Sequence, residues 1–300
     1  MAEAGVEKEN RFFAGGLFFS SGILLVSVLG KGQVDIYSLF FLLLGIKYLL
    51  KKDYVKMSLL FGLSAVIKPF PLVMIAPVLL LLMKDCGFQV AGYGILILLP
   101  GAADRFFTRV LMPDYQTYVD ITSREFRETF GFSRVEQLFS ARLFGIPLFF
   151  TSMGLLLAFC FYLGVRKKTE PQHLLIFPAL SYVILCAFYS ATFYWYVTVL
   201  PILAYMGCCL LKKSVAVFFL LLNTCGMLLT MIFNAGGMGM AVLSPLFGET
   251  KAWTAAEKFA AGTVRGLSRL GTMMFIFSML AVVLIYAGRS LFKKEGVHEG

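Results

Sequence analysis

The chain has 300 residues, of which 59% are apolar and only 15% charged, with a mean hydropathy of +0.82. A soluble domain averages about 45–50% apolar and about 25% charged, so this composition excludes a single water-facing globule and predicts an integral membrane protein. Two histidines and six cysteines without a CxxC pair argue against a zinc or haem site, and membrane topology accounts for most of the net charge of +10 without a nucleic-acid partner.

Apolar runs that approach the ~20 residues needed to cross a ~30 Å hydrocarbon core fall at 12–30, 34–50, 88–103, 143–165, 173–190, 193–211, 214–233 and 271–288. The polar, acidic start from Met1 to Arg11 does not read as a cleavable signal peptide. Gly32-Gln33-Val34-Asp35 forms the turn between the first two runs. Asp35 there is either a carboxylate at a helix N-terminus, stabilised by the dipole, or, with Gln33, a partner for sugar hydroxyls.

The segment 57–83 is different. It is apolar apart from Lys68-Pro69-Phe70-Pro71 near its middle. Its halves, 57–67 and 71–83, reach only ~16 and ~20 Å at 1.5 Å per residue, and each proline removes a backbone donor and disfavours helix at the residue before it. The expectation is a helical hairpin that enters and leaves on one side, with Lys68 at its tip. A lysine held away from the interface costs roughly 2.5–3.5 kcal/mol on insertion scales. It either snorkels to water or to free carbonyls, or serves as a fixed cation for a phosphate; the sacrifice of helix at this point favours the second reading.

Charge orients the chain. With 57–83 as a hairpin, the basic loops at 51–56, Lys84, 166–168, 212–213 and 289–294 share one face, together with Lys8 and Lys47. That face collects 12 of the 16 lysines and is therefore cytoplasmic, with both termini on it. The opposite face receives two long loops, 104–142 and 234–270, both expected to be external and amphipathic, the first with aromatic residues threaded among charges. The first reads as an amphipathic stretch, lying at the headgroups or capping the helices. Its arginines, Arg105 and Arg109 among them, belong to a solvated ion-paired face from which one or two could grip a phosphodiester. Tyr194, Trp195 and Tyr196, ahead of Pro201, are either an interfacial belt or a sugar-stacking wall. Gly236-Gly237-Met238-Gly239 has no preceding strand and is a turn, not a nucleotide loop. The expected architecture is thus all-α: one polytopic membrane domain over 1–300, with about eight full spans and one broken hairpin.

The order of Gly32-Gln33-Val34-Asp35, a span, a basic loop, then Gly62-Leu63-Ser64-Ala65-Val66-Ile67-Lys68-Pro69 and Pro71 resembles the GT-C superfamily of membrane glycosyltransferases. It is most similar to the bacterial mannosyltransferase-like branch that uses polyprenyl-phosphate sugars. Trp195-Tyr196 with Pro201 looks like that superfamily's later aromatic helix. The resemblance implies transfer of a hexose such as mannose from a polyprenyl-phosphate carrier to a glycan or lipid acceptor at the outer membrane face. A carboxylate would act as base and cations would steady the leaving phosphate. It assigns Lys68 to the phosphate and Gln33 and Asp35 to sugar or acceptor, with Asp35 a weak candidate base. Only 31 residues precede Gly32, so the chain resembles a copy without the family's first span and acidic external loop, incomplete, degenerate or completed by a second chain. No cofactor is required, although a carboxylate and a lipid phosphate together could recruit a divalent cation. The competing readings are a transporter or lipid flippase, since broken helices also build transport sites, and a non-catalytic membrane partner. Only one broken helix is found, where transporters usually pair two.

Overall fold

The computed structural model describes residues 8–19, 35–112, 139, 141–166, 170–188, 198–210, 213–233 and 263–291, and these are mostly helical. They divide into two compact units: Met1–Val6 with Val34–Ala191, and Glu7–Gln33 with Thr192–Gly300.

The first unit opens with α2 (Asp35–Leu50), α1 belonging to the second unit, and continues with α3 (Tyr54–Ile67). A tight turn joins the two, with Lys52 in the left-handed region at φ 60° and Asp53 capping α3 by accepting from the Lys56 N–H at 3.2 Å. The two helices run antiparallel, held near the start of α2 and the end of α3 by a reciprocal serine pair. Ser38 Oγ donates to the Ser64 carbonyl at 2.9 Å, and Ser64 Oγ donates to the Ser38 carbonyl at 2.8 Å. Both serines are buried, so these bonds satisfy hydroxyls that would otherwise lose solvation without return.

The helix then breaks where the prolines demand it. Lys68 is extended, at φ −146° and ψ 128°, as the residue before a proline prefers, and its N–H closes α3 on the Ser64 carbonyl at 3.1 Å. Pro71 starts α4 (Pro71–Leu81) at a position where a missing N–H costs nothing. After the short α5 (Met83–Cys86), Gly87 turns the chain at φ 56° into α6 (Gln89–Leu111). The Tyr54 hydroxyl donates to the Cys86 thiol, and the Tyr54 and Tyr93 rings lie 5.5 Å apart. Both ends of the 54–86 segment therefore meet at one end of the unit, and the segment is a hairpin as its prolines predict. Its arms pack on different neighbours, α3 on α2 and α6, and α4 mainly on α7 (Leu148–Arg166) and α8 (His173–Phe188).

Close approach depends on small residues. A Cβ on Gly62 would lie 2.5 Å from the Ile97 carbonyl oxygen and 2.8 Å from Pro100 Cγ, so glycine lets α3 settle onto α6. Gly164 lets α7 approach the backbone of Leu80 and Leu81 in the same way. Ser181 Oγ completes the contact of α8 with α4 by donating to the Val73 carbonyl at 2.9 Å.

Several boundaries differ from expectation. The third run ends at 103 by hydropathy, and 104 onward is expected to be loop. The helix instead continues through Asp104, Arg105 and Arg109 to Leu111, because nothing in that stretch breaks it until Met112 meets Pro113. The run expected from 143 begins with a small hairpin, β1 (Arg142–Leu143) and β2 (Ile146–Pro147), turned by Phe144 and Gly145 at φ 51° and 81°. Positive φ at both central residues matches the twist of a two-residue hairpin. Helix α7 follows only from Leu148.

The second unit holds α1 (Lys8–Phe19), α9 (Leu200–Leu210), α10 (Lys213–Phe233) and α11 (Thr263–Leu291), the last starting within the expected 234–270 loop. Helices α10 and α11 run antiparallel, and Gly226 lets them approach: a Cβ there would sit 2.7 Å from the Gly271 carbonyl oxygen. Lys213 pairs with Glu9, which holds that carboxyl below its usual range.

Among the described residues two helices, α6 and α7, are long and apolar enough to cross a membrane. The other apolar stretches are 10–17 residues long, among them Ile36–Leu50, His173–Phe188 and Leu270–Ile285.

Candidate functional site

The end of the first unit opposite Tyr54 brings together three features. Helix α2 starts there at Asp35, the hairpin breaks there at Lys68, and α6 runs on past the break. A Cβ added at Gly101 would lie 3.9 Å from Val66 Cγ2, so Arg105 and Arg109 lie one and two turns, ~6 and ~12 Å, further along α6 than the level of Val66 near the end of α3.

An open cleft of about 730 Å³ occupies this corner. The hairpin contributes Gly62, Ala65, Val66, Pro69 and Leu72, and α6 contributes Ile97, Leu98, Gly101 and Ala102. Beyond that apolar floor stand Asp104, Arg105, Phe106 and Arg109. The helical period explains the division: Gly101, Arg105 and Arg109 recur every four residues and share one face. Asp104 and both arginines are exposed, leaving two cations and one carboxylate at the rim. An apolar groove that ends in guanidinium groups suits an amphiphile with an anionic head, since the guanidinium fork matches phosphate or carboxylate oxygens.

Of the residues singled out in the sequence, Arg105 and Arg109 line the cleft. Lys68 is half-buried at the break, adjacent in the chain to the cleft-lining Pro69, and is not itself among the lining residues. Asp35 opens α2 at the same end, its side chain outside the described residues. Gln33, Tyr194, Trp195 and Tyr196 also lie outside the described residues. Asp104 was not singled out from the sequence; its helical position beside Arg105 is the signal that could have set it apart. Among the described residues no group of three or more His, Cys, Asp or Glu side chains could hold a metal ion.

No known protein family, curated protein or solved structure matches the chain.

Proposed function

We propose that the chain is a multi-pass membrane protein, with about eight spans and both termini cytoplasmic, that transfers a hexose from a polyprenyl-phosphate carrier to an acceptor at the outer membrane face. The observation that carries the reading is the proline-broken hairpin at Lys68 opening beside an apolar cleft with arginines at its rim.

Support for the membrane reading comes from where apolar side chains sit. On α6 only Ile97 is buried, while Ile95, Leu98 and Phe106 are each more than 60% exposed. A surface of that kind faces acyl chains or a partner more readily than water. The spans shorter than a full crossing are accommodated by local thinning of the bilayer and by flanking residues, at modest cost.

In this reading the isoprenoid lies along the floor formed by Ala65, Val66, Leu98 and Ala102, and the phosphate meets Arg105 and Arg109, with Lys68 adding positive potential from the hairpin tip. These cations steady negative charge on the phosphate as the bond from the anomeric carbon to the phosphate oxygen breaks. Asp104, the carboxylate of the cleft, takes the proton of the attacking acceptor hydroxyl.

The test is transfer from a radiolabelled polyprenyl-phosphate hexose by membranes carrying the full chain. Arg105→Gln with Arg109→Gln should lower donor affinity, Lys68→Met should depress turnover, and Asp104→Asn should remove it while donor binding persists. Wild-type turnover in all of these variants, at equal membrane insertion, rejects the assignment.

A further inference from the structure

The second unit contains a separate, partly open cavity, of about 50 Å³, lined by helices α1, α9, α10 and α11. Its walls are apolar, with Leu203, Ala204, Ala216, Phe219, Met279 and Val282 among them; Asn223 and Ser278 supply its polar side chains. Both are almost fully buried, at 5% and 2% exposure, and both lie near the middle of their helices.

Their hydrogen bonds determine what the site lacks. Ser278 Oγ donates its proton to the Phe275 carbonyl at 2.8 Å, so toward Asn223 it can only accept. Asn223 must therefore turn its amide nitrogen to Ser278, at 3.1 Å, which makes the other atom of the amide the oxygen. That oxygen is buried and has no hydrogen-bond partner among the described residues. A buried carbonyl of this kind is costly to leave unpaired, and the missing group must be a donor.

Size and charge narrow the donor. One water needs about 10–15 Å³ in the same measure, so the cavity has room for several, whereas two polar side chains can hold little more than one. Among the described residues no cation lines the cavity, which disfavours an anionic head. We infer that the cavity binds the hydroxyl end of a neutral long-chain amphiphile, with the hydroxyl donating to Asn223 Oδ1 and the alkyl chain packed among the leucines, Phe219 and Met279. This site lies in the second unit and does not depend on the transferase reading.

The experiment uses the full chain in lipid nanodiscs and three photoreactive probes of equal length: a primary alcohol, the matching carboxylic acid and the matching alkane. Crosslinked peptides are mapped by mass spectrometry. The alcohol should label the α9, α10 and α11 lining about tenfold more than either of the others, the scale of one buried neutral hydrogen bond. Asn223→Leu, which removes the acceptor, should bring the alcohol down to the alkane's level. Ala204→Phe, which fills the cavity from a half-buried wall position, should suppress labelling by all three. Should Asn223→Leu not fold, the probe comparison in the wild-type chain and Ala204→Phe still decide. Equal labelling by alcohol and alkane, equal labelling by the acid, or no lining peptide labelled by any probe overturns the inference, the last outcome assigning the cavity to water alone.

Discussion

The sharpest test of the packing is a pair of identical substitutions on one helix. Gly154 and Gly164 both lie in α7; a Cβ at Gly154 meets nothing within 4 Å, whereas at Gly164 it would meet the Leu80 carbonyl and would lie 2.9 Å from Leu81 Cα. The obstructing atoms are backbone, so no side chain can rotate away, and α7 must retreat from α4 until the Cβ clears the Leu80 carbonyl oxygen, its nearest neighbour. Alanine favours helix over glycine by about 0.8–1.0 kcal/mol at either position, so that gain cancels when the two variants are compared. What remains is the clash, about 1–3 kcal/mol for overpacking a close contact. A gap of even half an ångström forfeits roughly a quarter of the dispersion energy along the seam. Gly154→Ala should therefore match or exceed wild-type stability, and Gly164→Ala should fall about 1–3 kcal/mol below Gly154→Ala. Reversible unfolding in mixed micelles, followed by circular dichroism against increasing sodium dodecyl sulfate, measures the difference. Equal midpoints for the two variants would refute the close approach of α7 to the Leu80–Leu81 backbone.

Other outcomes follow from single contacts. Ser38→Ala and Ser64→Ala should each destabilise the α2–α3 pair, and a double-mutant cycle should return a coupling of about 0.5–1.5 kcal/mol; a coupling of zero would mean the reciprocal hydroxyl bonds contribute nothing. The Asp53 carboxyl is held below its usual value of 3.8, first by its hydrogen bond from the Lys56 side chain and next by the Lys56 backbone N–H. A depressed carboxylate stabilises above its ordinary value and loses that contribution as pH falls through the lower folded value. Amide exchange in the first turn of α3, corrected for its intrinsic pH dependence, should therefore rise in that acid range and be unchanged between pH 5 and 8; Asp53→Asn should flatten the response. A cysteine placed at position 68 should react with a membrane-impermeant thiol reagent from the outer face only, and labelling from the cytoplasmic side would invert the proposed topology.

The hairpin was readable because prolines act locally. Pro69 and Pro71 remove donors and restrict Lys68 whatever surrounds them, so the break appears in the sequence and recurs in the structure at the same residues. The end of α6 was not readable from hydropathy. Asp104, Arg105 and Arg109 lower the apolar average without interrupting the backbone hydrogen bonds, and a boundary drawn on polarity stops the helix about two turns too early. The β-hairpin before α7 was missed for a related reason: Leu143, Phe144 and Ile146 read as the start of an apolar run, while the turn itself rests on positive φ at Phe144 and Gly145.

The cleft was half legible. Arg105 and Arg109 stood out as guanidinium groups near a membrane surface, and their partnership with Ala65, Val66 and Leu72 required two segments about 35 residues apart to lie side by side. Glycine at position 62 permits that approach, although nothing in the order of residues says which helix it admits. Likewise Asn223 and Ser278, 55 positions apart, are ordinary polar residues in apolar runs until α10 and α11 pack. Composition and backbone chemistry by themselves determined a helical chain rich in apolar surface and broken at Lys68, because solvation and proline sterics act residue by residue. Only the tertiary structure decided which helices meet and which polar atoms are left facing a cavity, because those outcomes depend on interhelical distances of a few ångströms that small residues allow.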